Sequence, residues 1–228
     1  MTILSLGIFM NITPCNIKSH ATFSLDSDTE QLILALHDIG SIMFGTFTFK
    51  SGIISPIYVD LRKIMSHPQV LHEVEQQLWN QIKHCSFDVI CPVPMAAIPL
   101  ASSIAFNRTK PLILARPFVK DHGTKRAIEG IYNDGDTAIV IEDVITSGQS
   151  ILEVIDNLEN NNLKVHDIFT LLNYQSSGNE KLAERGYHLH SLFTISQVIT
   201  VLEHAGRITD EQAADVRYFI EQPKQCCS

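Results

Sequence analysis

Short apolar runs alternate with helical segments from about residue 88 onwards. The apolar runs, each bounded by turn residues, are Asp88–Cys91, Pro111–Ala115, Thr137–Ile141 and Val165–Leu172. Segments with helical periodicity follow at Ala96–Phe106, Gln149–Asn160 and Gly178–Arg185. Runs of this length are typical of buried strands, and strands that alternate with helices usually lie parallel in one sheet. The pattern predicts an α/β fold, a mostly parallel twisted sheet flanked by helices.

The flanking segments are regular as well. Their predicted elements are a helix at Asp28–Ile39, a strand at Phe44–Lys50, an extended piece at Ile57–Leu61, an amphipathic helix from Pro68 to about His84, and C-terminal helices at Ile195–His204 and Thr209–Ile220. We predict an N-terminal extension at residues 1–24, whose order the sequence leaves open, a single domain at 25–222 and a tail at 223–228. Within the domain we expect a small hood at 25–66, a core at 67–200 and C-terminal helices at 195–221.

Composition limits the classes of partner. The chain has 228 residues, 45% of them hydrophobic, and a net charge of -8 with its basic residues spread along the sequence. A nucleic-acid or membrane surface needs clustered basic residues, so a small-molecule partner is predicted. The apolar start, Met1–Ile12, lacks the basic and small-residue pattern of a secretion signal, and no apolar run approaches the roughly 20 residues of a membrane span. We therefore expect a soluble, cytoplasmic protein.

The stretch Thr137–Ser150 is the most informative part of the sequence. An apolar run ends in two acids, and a turn of small residues then leads into a helix. At the carboxyl end of a parallel strand, such a turn aims backbone N–H groups and hydroxyls into one concavity, and the helix start adds its positive dipole end. The suitable residues are Thr146, Ser147, Gly148 and Ser150. The sequence predicts a phosphate cradle here.

Glu142 and Asp143 come directly before this turn. Their carboxylates are suited to holding vicinal ribose hydroxyls and to supporting a positively charged ring. A carboxylate pair is about as often part of an ordinary solvated turn. The position of this pair, between an apolar strand and a Thr-Ser-Gly turn, favours the binding role.

Four segments carry a resemblance to a known family. They are Phe44–Gly52, Ser55–Arg62, Lys120–Arg126 with Glu129–Gly130, and Ile141–Gly148. The last resembles the phosphate loop of the type I phosphoribosyltransferases, and it is not a Walker loop because no Gly-Lys-Ser/Thr is present. From about Phe44 to Gln222 the chain resembles orotate phosphoribosyltransferases, especially the eukaryotic-type transferase domain of UMP synthase.

The resemblance implies a reaction in de novo pyrimidine (UMP) biosynthesis. Orotate displaces pyrophosphate from phosphoribosyl pyrophosphate (PRPP) and gives orotidine 5'-phosphate. The implied cofactor is Mg²⁺, held mainly by PRPP and not by protein side chains alone. Because the C1–O bond breaks through an oxocarbenium-like state while pyrophosphate gains charge, cations that meet the leaving group carry much of the catalysis.

The resemblance also implies a lid. Arg116, Lys120, His122 and Lys125 lie in a segment that looks like the family's mobile lid, which closes over the partner subunit's active site and so implies a homodimer. Without the resemblance, Arg116–Arg126 would more simply be a solvated basic loop.

Residue roles follow from the same resemblance. The implied catalytic residues are Lys120, His122 and Asp143. Lys50 resembles the lysine that reaches orotate and pyrophosphate, and Tyr58 lies in the segment that covers the base. The remaining implied ligand-binding residues are Arg116, Lys125, Glu142, Asp143, Val144, Ile145, Thr146, Ser147, Gly148, Gln149, Ser150 and Tyr174.

Two departures affect the pyrophosphate side of the implied site. Pro117 stands where the family has a cationic lid residue, which removes a charge and stiffens the loop. Met95 and Ala96 replace a Tyr-Lys or Tyr-Thr pair in the loop that holds pyrophosphate. Losing one charge-assisted contact typically costs about 1.5 to 3 kcal/mol of binding.

A third departure affects the base side. Asn173-Tyr174 stands where the family has Asp-Arg, whose arginine binds orotate. Because the phosphate and ribose part is intact while the other contacts are eroded, two alternatives to orotate transfer stay open. One is transfer to another base; the other is a catalytically weak paralogue that binds PRPP or a nucleotide as a regulatory ligand. If orotate is the substrate, we expect Tyr174 to stack on it.

Overall fold

A computed structural model describes residues 26–48, 52–116 and 127–222 of the chain. Its first elements are helix α1 (Ser27–Asp38) and an antiparallel hairpin of β1 (Ile42–Thr48) and β2 (Ile54–Val59). Asp26 caps α1, since its carboxylate accepts the Thr29 N–H at 2.8 Å. A 3₁₀ helix (Leu61–Ser66) follows the hairpin. The predicted entry of helix, strand and extended piece is confirmed within the described residues.

The central sheet consists of four parallel strands in the order β3-β6-β7-β8. They are β3 (Val89–Pro92), β6 (Thr137–Ile145), β7 (Lys164–Asn173) and β8 (His188–Thr194). The helices are α2 (Pro68–Ile82), α3 (Ala97–Arg108), α4 (Gln149–Glu159), α5 (Gly178–Glu184), α6 (Ile195–His204) and α7 (Asp210–Ile220). This arrangement confirms the predicted α/β fold with a parallel sheet flanked by helices.

Both faces of the sheet are buried. Along β6, Ile139 and Ile141 belong to one core cluster with residues of α1, α2, α3 and α6, whereas Ala138 and Val140 belong to a second with residues of α4. Successive side chains of a strand point to opposite faces, so a continuous apolar run fills two cores at once. None of the helices in the described ranges combines the length and apolar character that crossing a bilayer requires.

Two details of the sheet differ from the prediction. Strand β6 continues beyond Ile141 to Ile145, because Val144 and Ile145 still pair with β7. The two acids therefore lie within the strand and not after it. The run Pro111–Ala115, predicted as a further strand of the parallel sheet, contributes only an isolated parallel bridge of Leu112 to Ile90 and the two-residue strand β4 (Leu114–Ala115). β4 pairs antiparallel with β5 (Ile128–Glu129), which was not predicted because two residues are too short to show a period of their own.

A buried carboxylate joins α2 to α3. Glu75 is fully buried, and its carboxylate accepts the Arg108 Nε–H at 2.9 Å and the Asn107 side-chain amide at 3.3 Å. Arg108 also lies over the Trp79 ring, 5.4 Å from its centroid. A buried charge needs its partner because water cannot replace the lost hydrogen bonds. We infer that this ion pair fixes the two helices against each other.

We expect Arg108→Ala to lower the free energy of unfolding by about 3 kcal/mol, because the buried Glu75 carboxylate then keeps only the Asn107 amide and the exposed His72 ring at 3.5 Å as partners. Urea denaturation measures the loss. Arg207→Ala is the matched control, since Arg207 pairs with Asp38 at 3.2 Å where both side chains are about half exposed. The control should lose about 1 kcal/mol or less. Equal losses in the two variants would contradict a special role for the buried pair.

Candidate functional site

The turn after β6 leads directly into α4. Thr146 and Ser147 are half-buried, Gly148 is buried, and Gln149 starts the helix on an exposed turn. Gly148 adopts the left-handed conformation, with φ of 72°, and supplies no side-chain cap to the helix. The Gln149 amide reaches the Ser147 hydroxyl only at 3.5 Å. Amides at the start of a helix that lack a capping acceptor are suited to binding an anion.

Three successive carbonyl oxygens of this turn face the other way. They accept hydrogen bonds from the segment that follows β7, and the contacts are Tyr174 N to Ile145 O at 3.0 Å, Gly178 N to Thr146 O at 3.0 Å, Ser176 Oγ to Thr146 O at 2.7 Å and Lys181 Nζ to Ser147 O at 3.4 Å. Because the acceptors are held from behind, the peptide groups of the turn have a fixed orientation. The turn is a preorganised loop.

The two acids of β6 point to different environments. Glu142 is buried, with 7% of its surface exposed, whereas Asp143 is half-buried. The Asp143 N–H donates to Glu142 Oε1 at 3.0 Å. Burial, and after it the hydrogen bond and negative charge of Asp143, raise the pKa of the Glu142 carboxyl well above its ordinary value. The pair therefore favours a state in which Glu142 holds a proton and can donate it in a hydrogen bond.

Two concavities adjoin the turn and the acids. Asp143 lines a small, mainly apolar pocket of about 20 Å³ together with Leu61, Ala96 and Leu171. On the other side, an open concavity of about 200 Å³ is lined by Arg116 and Ser150, among others. Ala96 contributes only apolar surface to the first.

The structure brings the predicted residues Glu142 to Ser150 together on one strand, turn and helix start. Arg116 lies across the open concavity from Ser150, and its guanidinium forms an ion pair with Glu129. Tyr58 lies on β2, with its ring 5.5 Å from that of Phe47. Lys50, Lys120, His122 and Lys125, together with Pro117, lie outside the described residues.

Tyr174 has a role in the core. Only 9% of its surface is exposed, and it belongs to the larger apolar cluster. Stacking of its ring on a base stays a prediction, and burial leaves little ring surface for it. Beside it, Asn173 is also buried, and its side-chain oxygen accepts the Gln175 N–H at 2.7 Å. Neither residue supplies the positive charge that the family's arginine would.

Sequence reasoning missed the residues that support the turn from behind. Ser176, Gly178 and Lys181 follow β7, and each contacts a carbonyl oxygen of Thr146 or Ser147 in the turn. A signal was available, since the carboxyl ends of adjacent parallel strands meet at one edge of the sheet, where ligands bind. Ser176-Ser177-Gly178 after the Val165–Leu172 run is a second small-residue turn at that edge. Knowledge that β6 and β7 are neighbours was needed to use it.

Carboxylates near the turn do not form a larger cluster. Among the described residues, no group of three or more His, Cys, Asp and Glu side chains converges as a metal site would require. Asp143 is the partly exposed carboxylate that borders the pocket, and Glu142 is the buried one. A divalent cation at this site would have to take most of its oxygen ligands from elsewhere than these side chains.

We expect Glu142→Gln to stabilise the protein increasingly as the pH rises. The raised pKa means that the folded wild type holds a proton that the unfolded chain releases, so wild-type stability falls as the pH climbs above the ordinary value of 4.5. Glutamine has the same size and no charge at any pH. Urea denaturation at about pH 4 and about pH 8 should show a wider stability gap between variant and wild type at the higher pH.

Glu184→Gln is the control for this variant, because it removes a glutamate from the exposed surface of α5. Its stability relative to wild type should change little between the two pH values. If the Glu142→Gln gap is the same at both, the raised pKa of Glu142 is contradicted.

Comparison with known proteins identifies the family. The model of the "Phosphoribosyl transferase domain" family matches residues 60–206, which is more than half of the chain. A bifunctional enzyme PyrF/PyrE of Nostoc sp. is 42% identical over 89% of this chain and 43% of its own length. An orotate phosphoribosyltransferase of Caenorhabditis elegans is 35% identical over 82% of this chain and 84% of its own length.

Solved structures agree with these relatives. The UMP synthase of Leishmania donovani superposes with a TM-score of 0.77 and 34% identity over 85% of this chain and 42% of that protein. The orotate phosphoribosyltransferase of Aeropyrum pernix gives a TM-score of 0.68 and 28% identity over 78% of this chain and 99% of that protein. The chain thus spans less than half the length of the bifunctional relatives and most of the length of the single-function ones. It belongs to the phosphoribosyl transferase domain family and groups there with the orotate phosphoribosyltransferases.

Proposed function

We propose that this chain transfers the phosphoribosyl group of PRPP to orotate, giving orotidine 5'-phosphate and pyrophosphate in pyrimidine biosynthesis. The observation that carries the proposal is the loop at the end of β6. Its carbonyls at Ile145, Thr146 and Ser147 are held from behind, and its cap residue leaves the helix start open to an anion. A sugar 5'-phosphate is the anion that suits a small concave site of this kind.

The acids provide the second half of the ribose site in this proposal. Asp143 borders the pocket as a half-buried carboxylate and accepts a hydrogen bond from a ribose hydroxyl. Glu142, buried and with its pKa raised, holds a proton and keeps the negative charge of the pair on Asp143. One carboxylate charge close to C1 stabilises the oxocarbenium-like state as the C1–O bond breaks.

The leaving pyrophosphate needs cations to stabilise the negative charge that it gains. Arg116 borders the open concavity next to Ser150, which gives it access to a pyrophosphate group there. We assign Lys120 and His122 as the catalytic cations, and Lys50 and Lys125 as further ligands of pyrophosphate and base, on the family resemblance alone. Tyr58 covers the base in the same assignment.

Mg²⁺ is the proposed cofactor, and the charge it supplies when bound offsets that of the diphosphate. Asp143 is the described side chain that could hold it at the pocket, and PRPP oxygens would supply most of the coordination. We further propose a homodimer in which the lid segment is shared between subunits, and a cytoplasmic location.

A second function is favoured by one observation. Met95, in the loop where the family has polar pyrophosphate ligands, is 80% exposed, and Ala96 beside it lines the apolar pocket. This surface offers no charge-assisted hydrogen bond to pyrophosphate or orotate. The alternative is therefore a homologue that accepts another base, or one that binds PRPP or a nucleotide with weak catalysis as a regulatory paralogue.

We expect the purified chain to convert orotate and PRPP to orotidine 5'-phosphate with Mg²⁺ present. Lys120→Ala should lower kcat/KM by about 100-fold, because one cation that stabilises the leaving pyrophosphate is lost. The change in ultraviolet absorbance as orotate is consumed measures the rate. Lys164→Ala, which removes an exposed lysine at the start of β7, is the control and should retain wild-type activity.

Other outcomes separate the candidates. Thermal stabilisation by PRPP or orotidine 5'-phosphate without turnover would contradict the enzyme and support the regulatory paralogue. Silence with orotate together with turnover of another pyrimidine or a purine would support altered base specificity. Equal activity in Lys120→Ala and wild type would contradict the catalytic assignment of Lys120.

A further inference from the structure

Gly148, in the phosphate loop (residues 145–148), lies against Gly178 at the start of α5. A methyl group on Gly148 would lie 3.2 Å from the Gly178 Cα. A methyl group on Gly178 would lie 2.4 Å from the Thr146 carbonyl oxygen and 2.9 Å from the Gly148 amide nitrogen. Both near atoms are backbone atoms of the phosphate loop and cannot rotate away. Any side chain at position 178 therefore displaces either the loop or the start of α5.

Gly178 is not explained by its own backbone conformation. It is the first residue of α5 and is absent from the glycines with positive φ. The close approach to the phosphate loop is therefore the physical reason for a residue without a side chain at this position.

Hydrogen bonds to the Thr146 carbonyl oxygen accompany the close approach of Gly178. The Gly178 N–H donates to Thr146 O at 3.0 Å, and the Ser176 hydroxyl donates to the same oxygen at 2.7 Å. Because the Thr146 carbonyl and the Ser147 amide belong to one peptide plane, holding the oxygen also sets the direction of that N–H. The segment after β7 thereby determines where the loop's donors point.

We propose that Gly178 is a positioning residue for the sugar 5'-phosphate: it lets the segment after β7 approach closely enough to hold the phosphate loop in its binding orientation. The inference rests on the proposed function, since it assumes that the loop binds that phosphate. Gly178 itself does not touch the ligand. We expect its effect to be confined to the phosphate half of the site, because the three atoms nearest to an added methyl group belong to Ile145, Thr146 and Gly148.

Ribose 5-phosphate and inorganic pyrophosphate serve as separate probes of the two halves, each titrated by isothermal calorimetry. We expect Gly178→Ala to weaken ribose 5-phosphate binding by about tenfold or more, since misdirected N–H groups lose charge-assisted hydrogen bonds. Pyrophosphate binding should change by less than about twofold. If the enzyme is active, the KM for PRPP should rise while the KM for orotate stays unchanged.

Gly186→Ala is the matched control at the other end of α5. Gly186 has a φ of +84°, so alanine is strained there, yet its added methyl group meets nothing within 4 Å. It should lower the Tm without changing the affinity for either probe. A loss of ribose 5-phosphate affinity in Gly186→Ala as large as in Gly178→Ala would assign the effect to instability and overturn the proposal.

Ser176→Ala decides the question if Gly178→Ala does not fold. It removes one of the two hydrogen bonds to Thr146 O and adds no bulk, so ribose 5-phosphate binding should weaken by about two- to fivefold with pyrophosphate binding unchanged. Unchanged affinity in a folded Gly178→Ala, or in Ser176→Ala in its place, overturns the positioning role. If the wild type binds PRPP and neither variant loses affinity for ribose 5-phosphate, the positioning role is overturned and the proposed function is intact. If the wild type binds neither PRPP nor ribose 5-phosphate, both the positioning role and the proposed function are overturned.

Discussion

The site depends on the hydrogen bonds that hold the carbonyl side of one turn. Ile145, Thr146 and Ser147 each direct a carbonyl oxygen towards the segment after β7, where backbone and side-chain donors meet it. An isolated small-residue turn would sample many orientations and would lose entropy on binding an anion. Here the turn is already ordered in the folded protein, so binding an anion loses less conformational entropy. Parallel pairing of β6 with β7 makes this possible, because it brings two turns together at one edge of the sheet.

Strand geometry also places Glu142 and Asp143 in different environments. Neighbouring residues of β6 face opposite sides of the sheet, so Glu142 is buried while Asp143 borders the pocket. Burial makes the second negative charge unfavourable and raises the pKa of Glu142. The same alternation that fills the two cores with Ile139 and Val140 thus separates a buried acid, whose pKa is raised, from a carboxylate available to a ligand.

The departures from the family pattern have different structural meanings. Met95 is exposed beside the pocket, so its side chain is available to a ligand but has no charge to offer. Tyr174 is buried, and its backbone N–H supports Ile145 O, so a change at this position also affects the packing behind the loop. In the proposed function, the turn that would bind the sugar phosphate matches the family pattern and is supported from behind, and the base and pyrophosphate side is where activity or specificity would have changed.

Sequence alone predicted most of the elements and the kind of site that the turn after β6 would form. Its apolar runs predicted the parallel strands, and the Thr-Ser-Gly turn after two acids predicted a phosphate cradle, because strand periodicity and turn chemistry are local properties. Local patterns could not show that β6 extends to Ile145, since pairing with β7 decides where a strand ends. Nor could they reveal that Gly178 lies against Thr146, more than thirty positions earlier in the chain, or that Tyr174 is buried. Those facts depend on which strands become neighbours, and only the tertiary structure decides that, because contacts between distant segments form when the sheet assembles.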